Sequence, residues 1–435
     1  LLAGGGEGPS GGQHQAGTCR MGDDPATSVV DPHCRVWGHD NVRVVEIDPV
    51  SQTIFRTGLG FTAREETSRL QYLVNGRLDY RNYEDSIYSD TVEGMLTGRL
   101  NWTLVPERLS FFVEDSLEMQ SIDRFAPDSP DNRQRVNVFS AGPNLFFRMG
   151  QTVRGQAELR YMNTDAEITE EFNSDRLGAA LRAIKDLGPE SNVSVNAQYR
   201  DIDYDNDLLS RDHKRSDLYL RHERTLNRFN LSVDLGYSDL DFADGDSRSG
   251  PLFRSQLGWT PSERSAFSVL AIKQFSDTAD NALAEIGDAG SVPDNVLISS
   301  ATVTSSMYEE KRVGLTYAYT GARTTFAIEP FVQRLAYLDN DVFDERGRGL
   351  FASMTYRLRP TLSLSGFAYL ENRDYVNTGG GYDTRRFTVS LEKQFSTHWS
   401  SALSMTRYER NGDGDLAFGD VRQNVIYLRV AYRNR

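Results

Sequence analysis

Apolar and polar residues alternate strictly through the segment Thr91–Val105. One parity carries Val92, Gly94, Leu96, Gly98, Leu100, Trp102 and Leu104, and the other carries Glu93, Met95, Thr97, Arg99, Asn101 and Thr103. This period of two predicts a β-strand whose two faces meet different environments. A turn at 106–108 leads into a second arm with Phe111, Val113, Leu117 and Met119 on one face, although Phe112 and Asp115 break its pattern.

The arms of this hairpin are about 12 residues long, whereas a strand that crosses a bilayer needs roughly 9–11 and ordinary globular strands are shorter still. The polar face carries charges, so it cannot pack in a dry core. A lipid-facing apolar row opposite a hydrated inner row explains both features.

The same alternation recurs to the end of the chain, for example in Val193–Tyr199, Phe229–Tyr237 and Ile426–Tyr432. Short connections alternate with long acidic ones, which is typical of the periplasmic turns and extracellular loops of outer-membrane barrels. The long connections are predicted at 121–134, 163–174, 203–214, 241–250, 276–304, 338–347, 376–382 and 411–421. Counting from Gln52 gives 19 strands, and Val42–Ile47 is the candidate for a twentieth. We therefore predict an all-β fold, a transmembrane antiparallel β-barrel of 18–20 strands at 51–435, after a short irregular segment at 1–50.

The polar rows supply the candidate lumen-lining residues, namely Arg99, Glu114, Arg154, Glu158, Arg160 and Arg200. They could form a ring that selects ions or a wall of neighbouring opposite charges, and the wall is the simpler interpretation. Trp102, Trp259 and Trp399 each lie within a few residues of a short turn. That placement predicts an aromatic belt at one membrane interface.

Composition narrows the classes of function. The net charge of −14 argues against a nucleic-acid partner, because phosphate binding needs a basic surface. The mean hydropathy of −0.52 argues against a helical membrane protein. Cys19 and Cys34 are the 2 cysteines, so the β region lacks thiols, as suits passage through an oxidising periplasm. We interpret the start at Leu1 as a fragment edge or a processed end, since an exported barrel carries a signal peptide.

Before the β region, the stretch HQAGTCRMGDDPATSVVDPHCRVWGHDNVRVV resembles the C-terminal signature of the glucose–methanol–choline (GMC) flavoprotein oxidoreductases. The resemblance covers residues 10–45 and implies that His14 matches the catalytic base and that Asn41 lies in the stretch that approaches FAD. The chain then departs from the family at Glu46–Pro49 and has no strand–GxGxxG–helix unit to hold the cofactor. His14 is therefore expected to be inactive and no cofactor is expected, except under the alternative of an oxidoreductase fused to the barrel.

A second resemblance covers most of 51–435. The motifs Val113-Glu114-Asp115-Ser116, Asp131-Asn132-Arg133-Gln134 and Val138-Phe139-Ser140-Ala141-Gly142-Pro143 resemble an outer-membrane β-barrel porin family. That family is associated with exopolysaccharide and exosortase (PEP-CTERM) gene systems. The resemblance implies an outer-membrane location in a Gram-negative bacterium and a role in exopolysaccharide passage.

The longest connection, 276–304, carries an apolar-leaning patch at Ala282–Ile286 and five acidic residues but no basic one. We expect it to fold inward and narrow the lumen, with a preference for cations, as long barrel loops often do. Alternating carboxylates such as Asp203, Asp205 and Asp207 favour a solvated acidic surface over a calcium site, because no loop shows the full calcium-binding pattern. No metal site is predicted.

Three functions remain open. The first is a porin-like conduit, the second is a fragment of a FAD-dependent oxidoreductase fused to a barrel, and the third is a closed structural barrel at the surface. The partners expected for the barrel are outer-membrane lipid, lipopolysaccharide, the barrel-assembly machinery and a polysaccharide or small solute. His213 and His398 stand in no Ser/Asp pattern, which argues against a hydrolase.

Overall fold

The computed structural model describes residues 53–84, 88–122, 130–206, 210–279, 305–339, 341–377, 379–413 and 420–433. The chain divides into two compact units, one formed by Leu1–Phe55 with Asn82–Ser89 and the other by Arg56–Arg81 with Asp90–Arg435. In the described part of the first unit, the Glu84 amide donates to the Thr53 carbonyl at 3.2 Å and the Tyr83 and Tyr88 rings meet edge to face. The second unit carries the sheet.

The described residues contain 19 β-strands. Their bounds are β1 Ile54–Glu66, β2 Leu70–Tyr83, β3 Thr91–Val105, β4 Leu109–Ser121, β5 Arg133–Arg148, β6 Val153–Ala166, β7 Ser174–Gly188, β8 Ser191–Tyr204, β9 His213–Leu226, β10 Phe229–Phe242, β11 Ser247–Ser262, β12 Ser265–Ser276, β13 Tyr308–Thr320, β14 Thr324–Tyr337, β15 Glu345–Arg359, β16 Leu362–Tyr375, β17 Gly381–Gln394, β18 Trp399–Asp413 and β19 Val421–Tyr432. Short 3-10 turns occupy Pro130–Asn132, Glu170–Phe172 and Asp341–Phe343. Within the described residues, no helix is both long and apolar enough to cross a bilayer.

Each strand from β2 onward pairs antiparallel with the next, and β1 pairs with β2. Because the number of strands is odd, β1 and β19 run in the same direction. The proposed twentieth strand, Val42–Ile47, lies outside the described residues.

The apolar rows face outward, as the alternation predicts. Leu177 and Leu181 of β7 are 63% and 60% exposed, whereas Ser174 and Arg176 on the opposite face are buried. A large, continuous, exposed apolar surface is stable in lipid and not in water. The all-β fold, a transmembrane antiparallel barrel of 18–20 strands, is therefore confirmed.

Glycines in the wall let aromatic side chains lie flat against it. A Cβ built on Gly236 of β10 would lie 2.3 Å from the Leu218 carbonyl oxygen and 2.3 Å from the Tyr219 Cβ. Likewise, a Cβ on Gly155 would lie 2.2 Å from the Phe147 ring. These glycines are required because the neighbouring chain or ring occupies the space where a Cβ would be.

One predicted loop is wrong in length. The connection predicted at 241–250 is a tight hairpin turn at 243–246, because β10 and β11 continue pairing as far as Asp241 and Ser247. Gly245 has φ of +90°, and the Gly245 amide donates to the Phe242 carbonyl at 3.0 Å. An Asp-Gly pair flanked by strands is a strong hairpin signal, and it outweighs the polar composition that suggested a loop.

Candidate functional site: the barrel lumen

The three tryptophans of the predicted belt lie at the same end of their strands. Trp102, Trp259 and Trp399 are 49%, 49% and 50% exposed and lie on the outer face beside short turns. The Trp259 and Phe267 rings stack at 5.4 Å, and the Phe267 and Tyr317 rings at 4.5 Å. An outward row of aromatic rings at one end of the strands is the arrangement found at membrane interfaces.

A cavity of about 670 Å³ opens on the inner side of β1–β6, toward the short-turn end. Arg99 and Glu114 line it and are directly opposite each other in the β3–β4 register. Arg160 from β6 also lines it. The remaining lining residues are Arg64, Glu65, Glu66, Gln71, Tyr72, Leu73, Leu100, Asn101, Ser110, Phe112, Asn144 and Phe146. The cavity is thus lined mainly by polar groups of both charges.

Arg160 organises the wall of this cavity. Its guanidinium donates to the Glu114 carboxylate at 3.0 Å and to the Glu158 carboxylate at 3.0 Å. It also lies 4.4 Å from the centroid of the Phe112 ring, a cation–π contact. This contact gives the apolar ring of Phe112 a partner on the polar, inward face of β4. Asp115 faces outward instead, where it accepts from the Asn137 amide at 3.1 Å.

The other predicted lumen residues lie elsewhere on the inner face. Arg154 is near the short-turn end of β6 and donates to Asp186 at 2.6 Å. Arg200 of β8 lies beside Gly178, where a Cβ would be 3.5 Å from the Arg200 Cγ. The structure therefore brings Arg99, Glu114, Glu158 and Arg160 together and leaves Arg154 and Arg200 apart from them. The interactions described for Glu114, Glu158 and Arg160 link neighbouring opposite charges of the wall.

The long-loop end of the lumen is tightly packed. Immediately after β12, Asp277 is buried and forms an ion pair with Arg176 of β7. Ala279, two residues further on, is fully buried in a cluster with Val136, Val138, Met162, Ala166 and Phe172 from β5, β6 and the following turn. The start of the 277–307 connection therefore reaches the inner face of β5–β7.

The other end of this connection is buried as well. The Tyr204 hydroxyl of β8 donates to the Ser305 carbonyl at 2.9 Å. Met307 packs with Leu240, Phe242 and Phe275. Residues 280–304, which include the patch Ala282–Ile286 and most of the predicted acidic groups, lie outside the described residues. The described acidic residue of the connection, Asp277, has its charge offset by Arg176, so it adds no free negative charge to the lumen.

A further turn folds over the same end. The Gln134 side-chain oxygen accepts from the amides of Ile168 and Thr169 at 3.0 and 2.9 Å, and its nitrogen donates to the Thr169 hydroxyl at 2.8 Å. These contacts hold the turn at 167–173 with Phe172 buried. Arg176 and Tyr204 are not among the residues predicted from the sequence, and Gln134 is named there only within the motif of the porin resemblance. The sequence feature that these residues share is a large polar side chain that points to the inside of the barrel next to a long connection.

Three connections are tied together outside the strands by Arg211. Its guanidinium donates to Asp244 at 2.8 Å and to Asp339 at 2.6 Å. The hydrogen bond from Arg211 holds the pKa of the Asp244 carboxyl below its ordinary value. Nearby, the hydrogen bond from Arg135 likewise lowers the pKa of Glu167. The described loops therefore hold their charges in ion pairs across connections.

Residues His14 and Asn41, with the whole oxidoreductase-like stretch, lie outside the described residues, so their roles stay predictions. The part of the chain that is described contains no strand–helix–strand unit that could hold a dinucleotide. It also contains no group of three or more His, Cys, Asp or Glu side chains that could hold a metal ion.

Solved structures with a similar fold are outer-membrane β-barrels. The ferric enterobactin receptor of Pseudomonas aeruginosa in complex with BCV-L6 matches with a TM-score of 0.53 and 12% identity, over 87% of this chain and 70% of that chain. A mutant of the same receptor matches with a TM-score of 0.51 and 13% identity, over 87% of this chain and 69% of that chain. The FrpB iron transporter from Neisseria meningitidis (F3-3 variant) matches with a TM-score of 0.48 and 12% identity, over 88% and 77%.

In sequence, the model of the GMC oxidoreductase family matches residues 8–47. This is 40 of 435 residues and coincides with the stretch that resembles the C-terminal signature of that family. No curated protein matches the chain. The comparisons with solved structures show that the described strands form the fold of the outer-membrane β-barrel receptors.

Proposed function

We propose that this chain is a conduit for polar solutes in the outer membrane of a Gram-negative bacterium. The observation that carries the proposal is the opposition of an exposed apolar outer face and an inner face with charged residues, on which a cavity of about 670 Å³ opens. A barrel of this strand number encloses a lumen wide enough for solutes unless something fills it. The structural neighbours include a ferric enterobactin receptor, which supports a role in solute uptake or release.

In the described conformation, Asp277, Ala279 and Met307 pack against the inner wall near the long-loop end. This packing also favours the second candidate function, a closed structural barrel. Single-channel conductance in a planar bilayer separates the two. A conduit is expected to show openings in the wild type and more frequent or larger openings in Asp277→Asn, whereas a closed barrel shows none in either protein.

We further propose that the solute is a polysaccharide or a sugar-like molecule, by the resemblance to the porin family of exopolysaccharide systems. The cavity offers hydrogen-bonding groups suited to sugar hydroxyls, including Arg99, Asn101 and Glu114. Charged and neutral oligosaccharides are expected to block the conductance when added to one side. If block is instead obtained only with small compact solutes, the polysaccharide proposal is wrong while the conduit proposal stands.

The location is tested separately by separating inner and outer membranes on a density gradient and probing each fraction for the barrel.

The oxidoreductase alternative is tested by flavin binding. Purified protein with added FAD is expected to be colourless after desalting, because no dinucleotide-binding unit is found among the described residues. A retained flavin absorbance that is lost in His14→Ala would favour the oxidoreductase.

A further inference from the structure

The outer face carries a row of four basic residues across four adjacent strands. Lys273 of β12 is opposite Lys311 of β13, Lys311 is opposite Arg334 of β14, and Arg334 is opposite Arg346 of β15. Neighbouring strands lie about 5 Å apart, so four positive charges stand side by side within roughly 15 Å. Like charges directly opposite each other are unfavourable unless an anion screens them.

Only two of the four basic residues in this row form an ion pair with a described carboxylate. Lys273 and Lys311 share the Glu309 carboxylate. Arg334 and Arg346 form no ion pair with any described residue, and the Arg334 Nε atom is buried without a hydrogen-bond partner. Arg348, one outward position further along β15, is exposed and donates only to the neutral Asn372 side chain, at 2.9 Å. Among the described residues, Arg334, Arg346 and Arg348 thus form no ion pair, and Asp374 of β16 is the carboxylate opposite Arg346 in the register.

The height of the row on the barrel coincides with a membrane interface. On β14, Phe326 stacks with Tyr319 in the aromatic belt at the short-turn end, with ring centroids 5.5 Å apart. Arg334 lies eight positions further along the same face, after Ile328, Pro330 and Val332. Eight residues span about 27 Å along a strand, or roughly 20 Å across the membrane at the usual strand tilt of about 40°. The basic row thus begins where the apolar band ends, at the headgroups of the opposite leaflet.

The other side of the barrel has the opposite charge at its long-loop end. On the outer face of β7, β8 and β10 are Asp175, Asp201, Asp203, Asp239 and Asp241, all exposed. Lys214 of β9 lies between Asp201 and Asp241 in the register. Basic residues also lie on the outer face of β17, β18 and β19, at Arg385, Arg407 and Arg422. These three are grouped around the Glu409 carboxylate, whereas the basic residues of β12–β15 stand opposite one another across four strands. In a chain with a net charge of −14, this row is a local concentration of positive charge, and such a concentration attracts anions.

We propose that the row Lys273–Lys311–Arg334–Arg346, with Arg348, is a docking site for the phosphorylated headgroup of an outer-leaflet glycolipid of the lipid A type. The acyl chains of this lipid lie along the apolar band formed by Val313 and Val332, which are 49% and 55% exposed. The phosphates accept hydrogen bonds from the guanidinium groups of Arg334 and Arg346, which bind phosphate in a bidentate geometry. The site rests on the proposed outer-membrane location.

The test measures lipid binding to the whole chain in detergent by native mass spectrometry. Bisphosphorylated lipid A and fully dephosphorylated lipid A are titrated against the wild type, Arg334→Gln/Arg346→Gln and a control, Arg135→Gln/Lys214→Gln, which removes two basic residues from the opposite outer face. Each basic residue near a charged lipid surface contributes to binding, so the loss of two is expected to weaken binding of bisphosphorylated lipid A about 30-fold. The control is expected to bind like the wild type. Heat-dependent gel mobility verifies that each variant is folded.

Three results would overturn the proposal. One is equal binding of the phosphorylated and dephosphorylated lipids by the wild type. Another is an equal loss in the two double variants. The third is self-association of the wild type that disappears in Arg334→Gln/Arg346→Gln, since the row would then be an interface with a second copy. Because these measurements are made in detergent, they do not depend on membrane fractionation or conductance, so this site and the proposed function can fail independently.

Discussion

Arg176 of β7 and Asp277, the first residue after β12, form an ion pair although they are 101 positions apart in the chain. Both side chains are almost completely buried, 3% and 4% exposed. The pair places the beginning of the 277–307 connection against the inner wall beside Ala279, which is fully buried in an apolar cluster. It is therefore the polar anchor that holds the described start of this connection against the inner wall near the long-loop end.

Removing one partner of this pair is expected to release the connection. In Arg176→Gln the Asp277 carboxylate is left buried without its guanidinium, at a cost of about 3–5 kcal/mol to the seated conformation. Hydrogen exchange of the amides at 277–279 is expected to accelerate strongly. The double variant Arg176→Gln/Asp277→Asn removes both charges and should recover most of the protection. Exchange in the double variant as fast as in the single one would show that the charge pair is not the anchor.

The two faces of β10 should respond differently to the same substitution. Leu235→Arg places a charge on the outer face, where Leu235 is 55% exposed, and is expected to destabilise the barrel by about 2–4 kcal/mol in a bilayer. Ser232→Arg, three positions away on the inner face, is the matched control and should be nearly neutral. A refolding titration in lipid vesicles measures both. Equal losses of stability would contradict the assignment of the faces.

Glycine is required at position 236 but not at position 366. Gly236→Ala places a methyl group 2.3 Å from the Leu218 carbonyl oxygen, and we expect it to cost about 1–3 kcal/mol through displaced backbone. Gly366→Ala meets no atom within 4 Å and should be neutral or stabilise the strand by about 0.5 kcal/mol. Chemical unfolding in detergent compares the two. A neutral Gly236→Ala would mean that β9 and β10 approach less closely than described.

Ion selectivity is expected to depend on Glu114. Glu114→Gln removes one negative charge from the cavity wall and leaves Arg160 with Glu158, so permeation should shift toward anions. Because the Arg160–Glu114 pair is about one-third exposed, its loss should change stability by less than about 1 kcal/mol. The reversal potential under a salt gradient reports the change, and Glu107→Gln in a surface turn is the control. An unchanged potential would indicate that ions do not pass this cavity.

Low pH is expected to weaken the ion pairs by which Arg211 links the outer connections. Arg211 lowers the pKa of Asp244, so this pair contributes stability above the pKa of Asp244 in the unfolded chain and loses it as the pH falls through the lower, folded value. Exchange of the amides at 210–212 and 243–246 is therefore expected to rise in strong acid relative to neutral pH, beyond the intrinsic pH effect. In Arg211→Gln this excess should be absent. The same excess in both proteins would assign the pH effect to other groups.

Much of the wall could be predicted from the sequence, because a period of two assigns every residue of a strand to one face once a single residue is assigned. Leu177 and Leu235 face lipid, and the 19 strands follow in the predicted order. The exceptions have local causes that the pattern could not show. Phe112 is an apolar residue on the inward face, where Arg160 lies over its ring, and the 243–246 turn is short because Asp-Gly closes it.

The lumen was decided by the tertiary structure. The side chains of Val136, Val138 and Met162 point to the inside of the barrel. The alternation alone predicts only that they do not face lipid. Whether these side chains contact water or protein depends on the path of the 277–307 connection, which lies more than 100 positions later in the chain. A contact between such distant segments has no periodic signature in the sequence. The alternation along the strands follows from the local pleat of the backbone. The packing of the described start of the 277–307 connection against the inner wall depends instead on the contact of Arg176 with Asp277, which only the folded chain brings together.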